Sequence, residues 1–206
     1  RWIWAPTEDA DDVRSWWQPS EVSGIDPDTY RDAIVSAEIL WELRNDPFGN
    51  LDNCQMQDME VAESELRYFR DLGGVSIVET TSISIGRDLT RLRELSIATG
   101  LNVIAGTGFY LDSSQPPEIK ASSEEDLIDL MLADLTHGTD GARPGIIGEI
   151  GVSSEFTPAE QKSLRAAGKV QTRSQLPIQV HLPGWFRLGH QVLDMLEDVG
   201  VDPAHV

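Results

Sequence analysis

From Asp58 onward the apolar and polar positions follow two periods in turn. Asp58–Leu72 places Met59, Ala62, Leu66, Phe69 and Leu72 three or four residues apart, one stripe of a helix, with Asp58 as N-cap and Gly73-Gly74 as the stop. Val75–Thr81 then reads as a short buried strand. The cycle repeats with a helix over Leu89–Thr99 stopped by Gly100, a strand over Leu101–Ala105, a helix over Ser123–Leu135 and a strand over Gly145–Ile150. It repeats again with a helix over Thr157–Thr172, opened by a Thr157/Glu160 capping box with Pro158 at its first position, and a strand over Pro177–His181. A last helix runs from about Phe186 to Val199 and is stopped by Gly200.

Strands separated by helices imply βαβ units and a parallel sheet, either an open doubly wound sheet or a (β/α) barrel. Glu79 to Thr81, Thr107 with Tyr110, Glu149 and His181 all fall where a strand ends, the positions that carry chemistry on the rim of a (β/α)8 barrel. A dinucleotide-binding open sheet calls for G-x-G-x-x-G in its first βα turn; Gly106-Thr-Gly108 is only a glycine pair.

Residues 1–60 break the pattern. They hold five of the six tryptophans and carry 14 acidic against four basic residues, with prolines at 6, 19, 27 and 47. Residues 1–57 read as a long aromatic-rich loop with one short helix around Asp28 to Glu42, packed on a body formed by the rest of a single domain.

Charge narrows the partners. With 35 Asp and Glu against 16 Lys and Arg, the 206-residue chain has a formal charge of −19, and no three basic residues run together. That excludes a sequence-independent grip on nucleic acid and disfavours an anionic membrane surface. No window reaches the roughly 18 consecutive apolar residues of a spanning helix, and Arg-Trp-Ile-Trp-Ala-Pro lacks a signal-peptide pattern, so a soluble, cytoplasmic protein is expected. Cys54 is the only cysteine, which excludes an internal disulfide and a cysteine-based zinc knuckle.

Among the chemistry-bearing residues, Glu149 stands out. It lies in Gly145-Ile-Ile-Gly-Glu-Ile-Gly151, an apolar strand in which a carboxylate must be paired, protonated or metal-bound; a salt bridge to Arg87 is the structural alternative. His181 ends the next strand, and Glu plus His at adjacent strand ends is half of a metal site. A catalytic zinc needs at least three protein ligands, and His137, His190 and His205 sit in a helix-exit loop, inside a helix and at the entrance to a last strand fragment. Arg87, in Ile85-Gly-Arg-Asp88, either orients a site carboxylate or pairs with Asp88. No Gly-x-Ser-x-Gly elbow occurs, and Cys54 has no adjacent base.

Ile77-Val-Glu-Thr-Thr-Ser-Ile-Ser-Ile-Gly-Arg-Asp88, Ala98-Thr-Gly-Leu-Asn-Val-Ile-Ala-Gly-Thr-Gly-Phe-Tyr110, Gly145–Gly151 and Pro177-Ile-Gln-Val-His181, in this order and spacing, resemble the phosphotriesterase-related proteins of the amidohydrolase superfamily over about Asn45 to Val206. The resemblance implies a (β/α)8 TIM barrel with two divalent metals, usually zinc, at its C-terminal rim. It makes Glu149 the bridging ligand of the branch that has glutamate in place of carboxylated lysine, and His181 the fifth-strand metal ligand. Tyr110 and Trp185 would shape a substrate pocket, and Arg87 would serve the catalytic site from the turn that opens a helix. The family's first-strand His-x-His, its sixth-strand histidine and its eighth-strand aspartate have no counterpart here, so the chain is expected to be an incomplete barrel of the roughly 250 residues such a fold needs. The implied activity is metal-dependent hydrolysis of a small molecule at an amide, lactone or ester, less favourably a phosphotriester. The alternatives are an inactive, truncated or degenerate barrel that binds a small molecule or assembles with a partner, a homodimer among them, and an open α/β binding module.

Overall fold

The computed structural model describes residues 24–47, 49–55, 57–184 and 186–206. Asp26 caps α1 (Pro27–Asp32), its carboxylate accepting from the Thr29 amide at 3.0 Å. The single early helix expected around Asp28 to Glu42 is divided into α1 and α2 (Leu40–Asn45), joined by a 3₁₀ turn over Ala37–Ile39. The break has a tertiary cause: the side-chain amide of the fully buried Asn50 donates to the carbonyls of Tyr30 and Ala33 at 2.7 and 2.8 Å, ending α1 from outside it.

The alternation then follows the sequence closely. α3 (Met59–Asp71) starts at Asp58, whose carboxylate accepts from the amides of Glu60 and Val61. β1 (Ser76–Glu79) leads through a 3₁₀ turn to α4 (Leu89–Thr99), capped by Asp88 and closed by left-handed Gly100. β2 (Asn102–Thr107) runs two residues past the expected strand, and a short helix α5 (Pro117–Ala121) precedes α6 (Glu124–His137). β3 (Ile146–Gly151), α7 (Pro158–Ser174), β4 (Ile178–His181) and α8 (Gly189–Asp198) complete the order. The last helix starts three residues later than expected because the chain first turns at Pro183, whose carbonyl accepts from the Phe186 amide.

The strands form one parallel sheet in the order β1-β2-β3-β4, with Glu79 opposite Ala105 and Ile147 opposite Ile178. Spatial order equals chain order. A doubly wound sheet reverses direction at a switch point, whereas a barrel adds each new strand on the same side of the last. The helices accordingly pack in sequence, α3 on α4, α6 on α7 and α7 on α8. Four strands and their helices make half of a (β/α)8 TIM barrel.

The core lies between β3, β4 and the helices α6 to α8. Leu127, Ile128 and Met131 of α6, Ile147 of β3 and Leu164 and Val170 of α7 are completely buried there. β1 differs from the expected buried strand: Val75 and Val78 are 67% and 49% exposed. β1 is the edge of the sheet, and among the described residues no strand pairs with its outer side. For the same reason the apolar stripe of α3 buries no residue fully.

Candidate metal and substrate site

The C-terminal ends of β2, β3 and β4 bring three of the expected residues together. Glu149 leaves β3 with its Oε1 3.5 Å from Nδ1 of His181 at the end of β4. The Tyr110 hydroxyl, from the loop after β2, lies 3.1 Å from the same Nδ1, and the two rings meet edge to face with centroids 5.0 Å apart. Burial first, and the Glu149 carboxylate second, push the Tyr110 phenol well above its ordinary pKa, so it is a neutral hydroxyl throughout the working range. The carboxylate is one-quarter and the imidazole about one-third exposed, open to a small molecule arriving at the rim.

Glycine makes this convergence sterically feasible. A Cβ on Gly106 would stand 1.9 Å from the Gly148 carbonyl, and one on Gly148, where φ is +140°, would stand 2.4 Å from the Gln179 carbonyl. Three strands therefore approach more closely than side chains allow immediately before Glu149. The β3–β4 register shifts between Ile147 and Ile150, which sets Glu149 apart from the regular ladder.

Arg87 forms a direct ion pair with neither Asp88 nor Glu149. Its guanidinium makes a two-pronged pair with Asp134 of α6, at 2.6 and 2.8 Å, and donates to the Gly106 carbonyl at 2.7 Å. The pair is nearly dry, with side chains 9% and 13% exposed. Asp88 instead caps α4 by accepting from the Arg91 amide. Asp134 escaped the sequence reading, although a signal was there: with Leu127 and Met131 it falls at i, i+4 and i+7, so it is a carboxylate on the buried stripe of its helix and requires a cationic partner.

Two further glutamates hold the rim without joining the site. Glu79 is tied to the Thr81 hydroxyl and amide; burial raises its pKa, outweighing the opposing effects of the Thr81 bonds and of Arg87. Glu160, fully buried, accepts from the amides of Asp112, Ser153 and Thr157 and from the Ser153 hydroxyl, so one carboxylate ties the loops after β2 and β3 to the start of α7. The sequence showed only its capping-box role. Trp185 lies outside the described residues.

A carboxylate and an imidazole, Glu149 and His181 are donors of the kind a zinc ion takes. Bonds of about 2.0–2.2 Å at a tetrahedral angle put two ligand atoms roughly 3.4 Å apart. The observed 3.5 Å fits that edge. Among the described residues no group of three His, Cys, Asp or Glu side chains gathers here, so the pair supplies two donors of the three a catalytic zinc needs.

Comparison with known proteins agrees with this architecture. A model of the phosphotriesterase family matches residues 28–206. Human N-acetyltaurine hydrolase is 35% identical over 175 residues, 84% of this chain and 50% of that protein. A phosphotriesterase-related protein of Nematostella vectensis is 35% identical over 172 residues, 82% of this chain and 49% of its own length. Among solved structures, a resiniferatoxin-binding protein from Rhodobacter sphaeroides superposes with a TM-score of 0.81 at 48% identity, covering 92% of this chain and 53% of that one. The phosphotriesterase homology protein of Escherichia coli, solved with phosphate in its active site, gives 0.72 at 27% identity, covering 88% and 62%. The chain spans about half the length of the curated relatives it matches. With nearly its whole described length matched and the half-barrel in place, this chain belongs to the phosphotriesterase family.

Proposed function

We propose that the chain, with its strands β1 to β4, carries half of the barrel of a metal-dependent hydrolase that cleaves an amide bond in a small molecule. The observation that carries the reading is the Glu149–His181 pair, two donors at ligand spacing on adjacent strand ends, with the Tyr110 hydroxyl beside them. Glu149 offers two anionic oxygens, enough to bridge two cations, and His181 offers one ring nitrogen. Glu149 and His181 would hold zinc there, and the metal would supply a water of lowered pKa and polarise the bond to be cleaved. Tyr110, kept neutral, is a hydrogen-bond donor to a substrate oxygen, while its ring walls the site against water. Arg87 acts on the site indirectly, through Gly106. Trp185, four residues beyond His181, is proposed to line the same pocket.

Amide cleavage is favoured over phosphotriester cleavage because the family resemblance implies a glutamate, Glu149, in place of the carboxylated lysine of phosphotriesterases, and because human N-acetyltaurine hydrolase is among the relatives. A binding protein without turnover is the second reading. It is favoured by the two-donor count among the described residues and by the resiniferatoxin-binding neighbour.

The test is metal content together with hydrolysis of N-acetyltaurine and of an aryl phosphotriester. The hydrolase reading expects bound zinc and amide turnover in the wild type, both lost in Glu149→Ala. Wild-type zinc content and turnover in Glu149→Ala would overturn it, and ligand binding with neither metal nor turnover in the wild type would establish the second reading.

A further inference from the structure

We infer that the buried Arg87–Asp134 pair is a positioning device for the site, setting the backbone from which Glu149 and Tyr110 project; the inference rests on the reading of Glu149 and His181 as a metal pair. The turn after β1 is stitched to the strand ends at four points. The Thr80 carbonyl accepts from the Glu149 amide at 2.9 Å, the Ile83 amide donates to the Gly108 carbonyl at 3.0 Å, and the Ser84 hydroxyl accepts from the Tyr110 amide at 3.1 Å. Arg87 makes the fourth stitch, to the Gly106 carbonyl, and is itself held by Asp134. The Thr107 hydroxyl donates to the same carboxylate, so α6, the end of β2 and the turn meet at one ion pair.

The lever runs through Gly106. Its Cα lies so close to the Gly148 carbonyl that no Cβ fits between them, so a shift of Gly106 is transmitted to Gly148 and to the next residue, Glu149. Glu149 is thus held from both sides, by Thr80 through its amide and by Gly106 through its neighbour. The chemistry of the pair agrees with positioning. Desolvating two charges makes a buried ion pair weak support for stability compared with apolar residues of the same volume, whereas a bidentate fork fixes distance and angle. Two charges in a nearly dry interior, bonded to the end of β2 that leads to Tyr110 and reaching Gly148 through Gly106, suit a requirement for geometry.

The experiment compares the wild type with the double variant Arg87→Met/Asp134→Leu, which removes both charges and leaves neither buried alone. Two readouts are taken: amide hydrogen exchange, and titration with cobalt(II) followed by its visible spectrum. The expected result is faster exchange, by about tenfold, at Ile83, Tyr110 and Glu149, with Leu164 and Val170 unchanged, and cobalt affinity reduced by about 10- to 100-fold, the usual effect of losing an outer-shell partner. Equal acceleration at all five amides, or none at the first three, would overturn the inference. A wild type that takes up no cobalt would instead sink the metal reading, and the exchange comparison would still decide whether the pair sets the backbone.

Discussion

Glu79 and Glu149 both come from strand ends, and their surroundings give them different work. Burial raises the Glu79 carboxyl above 4.5, the value for a free glutamate. A raised folded pKa means that proton binding stabilises the fold fully below the unfolded value, and that this contribution is lost as pH rises through the folded one. At neutral pH the charged carboxylate therefore works against folding. Glu79→Gln is expected to raise the unfolding temperature at pH 7, with the gain closing as pH falls through the folded value and gone below 4.5; a pH series of thermal melts checks it, and a lower midpoint at pH 7 refutes it. At Gly106, alanine must displace the Gly148 carbonyl, and Gly106→Ala is expected to cost about 1–3 kcal/mol in urea unfolding, as overpacking does. The meeting of Glu149 and His181 was legible because one lies near and the other at the end of adjacent apolar strands, where a polar residue needs a reason. The partner of Arg87 was not legible: Asp134 is 47 residues away, and nothing local to Ile85-Gly-Arg-Asp88 points to it.

Among the elements, α7 was the most legible, since Thr157 and Glu160 mark its start through local hydrogen bonds. The end of α1 was not, because the group that ends it is the side chain of Asn50. α7 is also the keystone of the helical layer. Leu164→Ala leaves a cavity among fully buried neighbours and is expected to cost about 2–5 kcal/mol, measured by urea denaturation. Its contact with α6 is trimmed by Glu124, which Arg165 and Lys169 approach at 2.8 and 2.6 Å. Burial alone would raise the Glu124 pKa, but the two cations outweigh it and lower it, so this contribution is present at neutral pH and lost as pH falls through the folded value. Glu124→Gln is expected to lower stability at pH 7 by about 0.2–1 kcal/mol per half-exposed pair, and to be neutral in acid. Equal deficits at pH 7 and in acid would show that the loss is packing rather than charge.

For the whole molecule, the alternation of helix and strand was enough to give the parallel sheet, and the unreversed strand order then decided the winding. Edges were invisible beforehand, because no local pattern in Val75–Thr81 says what lies beside it. The −19 charge adds a term that no single contact carries: self-repulsion opposes the folded state. Raising salt from about 0.01 M to about 0.15 M shortens the screening length from roughly 30 to 8 Å and is expected to raise the unfolding midpoint. A midpoint that falls with salt would mean that attractive pairs dominate.

Among the described residues nothing pairs with the outer side of β1, and there the repulsion has a second role. Among the described residues this parallel edge, with Leu72 and Val75 largely exposed and Val78 half-exposed, is a template on which an extended segment can add itself, and Ser76–Glu79 carries neither the lysine nor the proline that usually guards such a strand. Mutual electrostatic exclusion between molecules then stands in for a structural guard. That protection fades near the isoelectric point of about 4.4, where colloidal stability is expected to be lost before the fold is.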